Sequence, residues 1–245
     1  MPASLHTLVR GLADVVFPPV CVHCRALVPA EGEFRHLCGR CAARLDFVRP
    51  PHCETCGHPF YGVVEGEHLC PHCEGLAPAY RRGRTAVLFK GPARSLVIAL
   101  KYHHGLHVAA DLETAFRKAP HVLELARGAM LVPVPLHPRK ARERGYNQSE
   151  LVAESLARAA GGGARVAKLL RRTVDTVTQT RQDRKARQAN LKNAFAPVRG
   201  AAITPGQHLV LVDDVFTTGS TLNSCALALR RAGCLNLDVV TFGHG

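Results

Sequence analysis

Two groups of residues in this 245-residue chain have types and spacings that could do chemistry. The first is the run Asp213, Asp214, Thr217, Thr218, Gly219, Ser220 and Thr221, in which two adjacent carboxylates are followed by hydroxyls around a glycine. Paired carboxylates can hold ribose hydroxyls and Mg²⁺. A hydroxyl-rich, glycine-containing turn at a helix start offers amide and side-chain donors to a phosphate, helped by the helix dipole. Together they fit a sugar phosphate. The plainer reading is that Thr and Ser cap a helix and the two Asp cap a strand; either half alone favours that reading, and their adjacency tells against it.

The second group is four Cys-x-x-Cys pairs, Cys21/Cys24, Cys38/Cys41, Cys53/Cys56 and Cys70/Cys73, in which each cysteine of the first half recurs 32 residues later. Two pairs separated by 13 residues can bring four thiolates into a tetrahedron around one Zn²⁺. Metal binding then supplies folding free energy that so small a segment cannot obtain from burial. Redox-active pairs are the alternative, and four copies in register argue against them. Equal repeats favour sequential pairing, Cys21 with Cys41 and Cys53 with Cys73, and an interleaved cross-brace is also compatible. Four thiolates leave no open position for water, so the zinc is expected to be structural, with docking or nucleic-acid contact as the module's task. Gly39 and Gly57, each directly after a cysteine, suit a left-handed backbone. His23 and His72 sit inside pairs and are expected to be exposed knuckle residues rather than ligands.

These groups need two different settings. Residues 1–83 are expected to form an amino-terminal helix and a double zinc ribbon, the helix resting on Leu5, Leu8, Leu12 and Val15 at helical spacing. Residues 84–245 alternate short apolar runs with amphipathic stretches, which predicts an α/β fold with a largely parallel sheet flanked by helices. Arg84–Lys90 and Ala129–Val134 are expected strands; Ala93–Tyr102, Leu106–Lys118 and Asn147–Ala160 are expected helices. His208–Val212 is a β-branched and leucine run suited to a strand buried on both faces, with Asp213 and Asp214 at its carboxyl end, where ligands of open parallel sheets bind. Leu222, Cys225, Ala226 and Leu229 follow at helical spacing, and Cys225 and Cys234 are expected to be buried thiols.

The formal charge of +13 is concentrated in Arg139–Arg199, which holds 15 Lys or Arg against 5 Asp or Glu and must face an anion or be strongly solvated. Arg10 and Asp14 interrupt the opening apolar run before it reaches export length, and no later segment reaches the length of a bilayer span. A cytoplasmic location without membrane insertion, and reduced thiols, are therefore expected. There is no Gly-Lys pair for a P-loop and no dinucleotide-binding glycine fingerprint. Only 31 residues follow Asp214, too few for a receiver domain.

Leu209–Thr221, LVLVDDVFTTGST, resembles the thirteen-residue signature of type I phosphoribosyltransferases. Val132–Ala157, Thr178–Phe195 and the cysteine pairs together resemble the ComF competence proteins over nearly the whole chain. The resemblance implies a domain that binds 5-phosphoribosyl-1-pyrophosphate with Mg²⁺, Asp213 and Asp214 on the ribose diol and Thr217–Thr221 on the 5-phosphate. It further implies a pyrophosphate loop at Val134–His137, including Leu136, and places Lys101 in a Leu-Lys-Tyr element. Arg144, Tyr146, Asn147 and Gln148 match the family's Arg-Gly-aromatic-Asn-Gln motif. Gln179, Arg181, Arg184, Arg187 and Asn190 match the mobile loop that closes over such sites, where Arg or Lys would stabilise a departing pyrophosphate. A role in natural transformation follows, with single-stranded DNA, a helicase and a DNA-processing protein as partners.

Two functions are compatible with this reading. One is a phosphoribosyltransferase whose acceptor the sequence does not name. Since 24 residues follow Thr221, the cover for its site is expected to come from the zinc module. The other is a non-catalytic adaptor that binds single-stranded DNA through the charge surplus. Grooves for single strands interleave aromatics with cations, and the basic stretch offers only Tyr146 and Phe195.

Overall fold

A computed structural model describes residues 18–62, 70–102, 105–173 and 194–245. The helix expected within residues 1–17 and the loop positions Gln179, Arg181, Arg184, Arg187 and Asn190 lie outside the described residues.

The core is a five-stranded, wholly parallel sheet in the order β1 (Gly83–Leu88), β7 (Asn236–His244), β6 (His208–Phe216), β2 (Met130–Pro133) and β3 (Arg165–Val166). A separate antiparallel pair, β4 (Leu170–Arg172) with β5 (Phe195–Pro197), packs beside it. The central strand explains why both faces must be covered. Leu209 and Leu211 belong to one buried cluster and Val210 and Val212 to the other, so the uninterrupted apolar run feeds two cores through its two-residue alternation. Each such side chain contributes about 1.5–3 kcal/mol by leaving water.

One face carries α2 (Gly91–Tyr102), α3 (Ala109–Arg117), α4 (Pro120–Ala126) and α6 (Gln148–Ala160). The other carries α7 (Ser220–Arg231), whose Leu222, Cys225, Ala226 and Leu229 are all buried as their spacing predicts. Cys234 is buried as well. Two short helices, α1 (Gly39–Ala42) in the cysteine-rich segment and α5 (Pro138–Arg144) after β2, complete the described α-helices.

Several expectations need correction. The element expected over Leu106–Lys118 is a 3₁₀ turn, Leu106–Val108, running into α3, and α4 has no counterpart among the predicted elements. The central strand does not stop at Val212 but continues to Phe216, because β7 runs alongside it and pairs Asp213 with Thr241 and Phe216 with His244. Gly39 is the first residue of α1 and not left-handed. The repeat equivalent of Gly57 (φ +76°) is Arg25, a non-glycine residue at φ +65°.

The ribbons are continuous with the sheet domain through a buried charge. Asp238, on β7 and wholly buried, accepts from Arg81 Nη2 at 2.9 Å, Arg82 Nη2 at 3.1 Å and His208 Nε2 at 2.9 Å, tying the segment before β1 to the starts of β6 and β7. Burial by itself would raise this carboxyl, but His208, Arg81 and Arg82 hold it well below the usual carboxylate range. Among the described residues no helix is long and apolar enough to cross a membrane.

Candidate functional site

The site forms where the two neighbours of β6 part company. The β2 ladder ends at the pair Pro133 and Val212, and after Val134 N donates to Val212 O the chain turns away. β7 stays paired. Asp213 and Asp214 therefore stand on a strand with one edge freed at its carboxyl end, the position at which open parallel sheets bind ligands.

The two carboxylates have different surroundings. Asp214 is buried, its Oδ1 3.0 Å from Lys101 Nζ at the end of α2, while its Oδ2 has no partner among the described residues. Asp213 keeps a partly exposed edge and uses Oδ1 to accept from Ser149 Oγ at 2.8 Å and from the Asp214 amide at 2.9 Å. Burial, and then the adjacent Asp214 charge, pushes the Asp213 carboxyl up to about 7, against the opposing pull of Ser149, the Asp214 amide and Lys101. The pair thus offers an unused buried oxygen and a carboxyl poised near neutrality, a donor set suited to hydroxyls or to a hard cation.

Beyond Phe216 the chain makes the turn that opens α7. Gly219 is left-handed at φ +69°, and a Cβ there would lie 2.6 Å from Phe216 Cζ and 3.0 Å from Leu76 Cδ2, so only glycine fits. Thr218 Oγ1 lies 2.9 Å from Ser220 Oγ and takes the Ser220 amide only at a long 3.4 Å. The amides of Thr217, Thr218, Gly219 and Thr221 have no acceptor among the described residues. Uncommitted amides at the start of a 12-residue helix form an anion cradle, and the α7 dipole adds to it.

The amino terminus of α6 organises the other side. Asn147 caps this helix by accepting from Ser149 N at 3.1 Å, and its Nδ2 donates to Val134 O at 2.9 Å, at the start of the loop Val134–His137. Leu136 lies in that loop and is half-buried; His137 caps α5 by accepting from the Arg139 amide. Tyr146 donates to Leu100 O and receives the Gly105 amide at 3.2 Å, which fixes the end of α2 beside Lys101. Arg144 donates to Gln148 and lies 5.6 Å over the ring of Tyr102. Arg144 and Tyr102, with Lys101, Lys140 and Glu143, line a cavity of about 320 Å³.

The structure therefore gathers Lys101, Asp213 and Asp214 directly, sets Thr217–Thr221 on the same strand end, and joins Val134 to them through Asn147. Arg181 and Arg184 lie outside the described residues. Sequence reasoning missed Ser149, the residue that follows the recognised motif and the one that touches Asp213; its position two residues after a capping asparagine was the available signal. It also missed Leu76 and His244, which no motif marks, and Phe216, which lies inside the Leu209–Thr221 signature but was given no role there.

The cysteines form two tetrads, Cys21, Cys24, Cys38 and Cys41, and Cys53, Cys56, Cys70 and Cys73, with the four sulfurs of each within 4.8 Å of one another. Sequential pairing is the observed arrangement. Zn–S bonds of about 2.3 Å in a tetrahedron imply S···S edges of about 3.8 Å. The observed separations of 3.6 Å for Cys24 and Cys38, and 3.7 Å for both Cys53 with Cys73 and Cys56 with Cys70, fit a zinc ion in each tetrad. Such all-thiolate sites are closed and structural. His23 and His72 are outside both tetrads, but neither is a free knuckle residue: His23 Nδ1 lies 2.9 Å from Ser95 Oγ, and His72 stacks on His58.

Comparison with known proteins adds to this geometry. Residues 12–74 match the double zinc ribbon domain family. The chain is 32% identical to the DNA utilization protein YhgH of Salmonella typhimurium over 229 residues, covering 91% of this chain and 95% of that protein. It is 29% identical to competence protein F of Haemophilus influenzae, over 89% and 94% of the two chains. With competence protein ComFC of Bacillus subtilis it shares 23% identity over 94% and 92%. Among solved structures, a hypoxanthine phosphoribosyltransferase from Staphylococcus aureus overlaps 54% of this chain and 62% of its own, at 15% identity and a TM-score of 0.34.

Proposed function

This chain belongs to the ComF family, with competence protein F and YhgH, and from that premise we propose that it serves DNA handling in competence through a domain that binds 5-phosphoribosyl-1-pyrophosphate with Mg²⁺. The observation that carries the ligand reading is the set of amides at Thr217, Thr218, Gly219 and Thr221, next to Oδ2 of Asp214, all without a partner among the described residues. In this reading the turn takes the 5-phosphate and the two carboxylates take the ribose hydroxyls. Mg²⁺ arrives with the ligand and offsets the charge of its pyrophosphate. Lys101, 3.0 Å from Asp214 Oδ1, orients that carboxylate, and Asn147 fixes the Val134–His137 loop against which the pyrophosphate would lie.

Transfer to an acceptor would break the C1–O bond to pyrophosphate, and a nucleophile would close the new bond at C1. The chain's contribution would be to hold the ribose and stabilise the charge on the departing group. A titration tests the reading: ligand with Mg²⁺ should bind the protein, and Asp213→Asn with Asp214→Asn should remove binding. Retained affinity in that double variant would refute it.

A second reading, the single-stranded-DNA adaptor, gains one specific observation. Tyr146 is committed to α2 and Phe195 is buried, but Tyr102, outside the basic run in sequence, is exposed beneath Arg144 and next to Lys140. Cations and an exposed ring thus meet in space, as strand-binding grooves require. DNA affinity that falls steeply with salt and drops on Tyr102→Ala supports this reading, and a flat salt response rejects it. A helicase and a DNA-processing protein remain the partners this role calls for.

A further inference from the structure

We infer that the second zinc ribbon, and not the first, positions the phosphate turn, so that this ribbon is a working part of the ligand site. The two ribbons are near repeats in sequence but pack on opposite faces of the sheet. Cys21, Phe34, Leu37 and Cys41 of the first share the buried cluster of α2, α3, α4 and α6. Cys53, Cys56 and Cys70 of the second share the cluster that contains Phe216 and Leu222 on either side of the phosphate turn, and Val134 at the head of the loop opposite.

The contacts run without a gap from metal ligands to turn. His58 and His72, each beside cysteines of the second tetrad, stack with ring centroids 4.1 Å apart. The buried ring of His244 meets both edge-on, at 4.8 and 4.9 Å, and stacks in turn on Phe216 at 5.1 Å and 17°. Phe216 is the residue that a Cβ at Gly219 would strike first, and Leu76, three residues after Cys73, is the second. Neither ring nitrogen of His244 has a hydrogen-bond partner among the described residues, so its place in this stack comes from packing and not from a polar anchor. Behind Leu76 the chain is pinned to α7 itself: Asn223 Nδ2 donates to Ala77 O at 2.9 Å and Asn223 Oδ1 accepts the Ala79 amide at 2.8 Å.

The ribbon is in turn held rigidly on the sheet. Thr85 Oγ1 donates to Cys56 O at 3.0 Å and the Gly83 amide to Glu54 O at 2.7 Å, while a Cβ on Gly83 would fall 2.1 Å from Thr55 O. The first ribbon docks elsewhere, through His23 on Ser95 and His36 on the buried Asp111. Leu76, Phe216 and His244 are positioning residues: they touch the turn or its support, and fix the conformation in which its amides stay uncommitted.

The ligand arm of the test rests on the phosphoribosyl pyrophosphate reading; the exchange arm does not. Full-length, zinc-loaded protein is compared with Leu76→Ala, Leu76→Met, Cys73→Ser and Asp111→Asn. The readouts are zinc per chain, hydrogen exchange of peptides spanning 216–224, and affinity for phosphoribosyl pyrophosphate with Mg²⁺. Leu76→Ala should keep its zinc yet speed exchange at the turn about tenfold and weaken the ligand by about the same factor, while Leu76→Met restores both. Cys73→Ser should loosen the turn at least as much. Asp111→Asn, which weakens the buried His36 contact of the first ribbon, should lower the melting temperature without selective loosening of the turn. Equal loosening by Asp111→Asn and Leu76→Ala, or unchanged exchange in both Leu76→Ala and Cys73→Ser, overturns the inference. Absence of ligand binding in the unaltered protein removes the proposed ligand and leaves the exchange comparison to decide.

Discussion

Ser149 Oγ donates a 2.8 Å hydrogen bond to Asp213 Oδ1, joining the first turn of α6 to the acidic end of β6. Through the neighbouring cap, Asn147 to Val134, the same helix end also holds the loop after β2, so one element sets both walls of the site.

Ser149→Ala removes a donor that stabilises the Asp213 carboxylate, so the already raised carboxyl should rise further. Affinity for phosphoribosyl pyrophosphate with Mg²⁺ should fall several-fold at neutral pH and recover as pH is raised. Titrations at several pH values check this; Ser149→Thr should keep most of the affinity, and an unchanged pH midpoint in Ser149→Ala would refute the role.

The pH dependence of stability has a definite sign. Asp213 is pushed up to about 7 in the folded chain, above the ordinary 3.8, so between these values the folded state holds a proton that the unfolded state has lost. Its contribution is therefore stabilising at low pH and is progressively lost as pH rises from about 4 to 7. Asp238, held low, acts in the opposite sense and loses its contribution as pH falls below the ordinary carboxylate range. Denaturant unfolding of Asp213→Asn beside the unaltered chain, at pH 5 and pH 8, isolates the first effect: the variant should gain on the unaltered chain at pH 8.

Gly219→Ala should be disruptive for two reasons. A left-handed backbone costs a non-glycine residue about 1–2 kcal/mol, and the added carbon would press on Phe216 Cζ at 2.6 Å. The expected outcome is a lower melting temperature together with loss of phosphate-ligand binding. Thr221→Ala, which strains nothing at Gly219, should keep its melting temperature and lose affinity only.

Metal analysis should find two zinc ions per chain, one for each tetrad. Cys38→Ser should remove one of them, and a chelator should lower the unfolding midpoint, since zinc binding is linked to folding. Fewer than one ion per chain would exclude the ribbon assignment.

The sequence by itself determined the local features. The spacing of the cysteine pairs marked them as four-thiolate metal ligands, because ligand spacing is a property of the chain, while their sequential combination rather than a cross-brace was decided in space. The unbroken run Leu209–Val212 specified a strand buried on both faces, and Asp213, Asp214 and the turn to Thr221 were legible because a strand, its acids and the following helix start are contiguous. Long-range placement was decided only in three dimensions. Nothing in the sequence said that β7 would extend β6 to Phe216, that Lys101 would reach Asp214, or that Ser149 would reach Asp213 from 64 residues away. Two ribbons with the same cysteine spacing went to opposite faces of the sheet because the residues around the thiolates differ, and those residues act only through the surfaces they meet. Ring stacking among His58, His72, His244 and Phe216 has no sequence period, since it is made by four residues from separate segments of the chain.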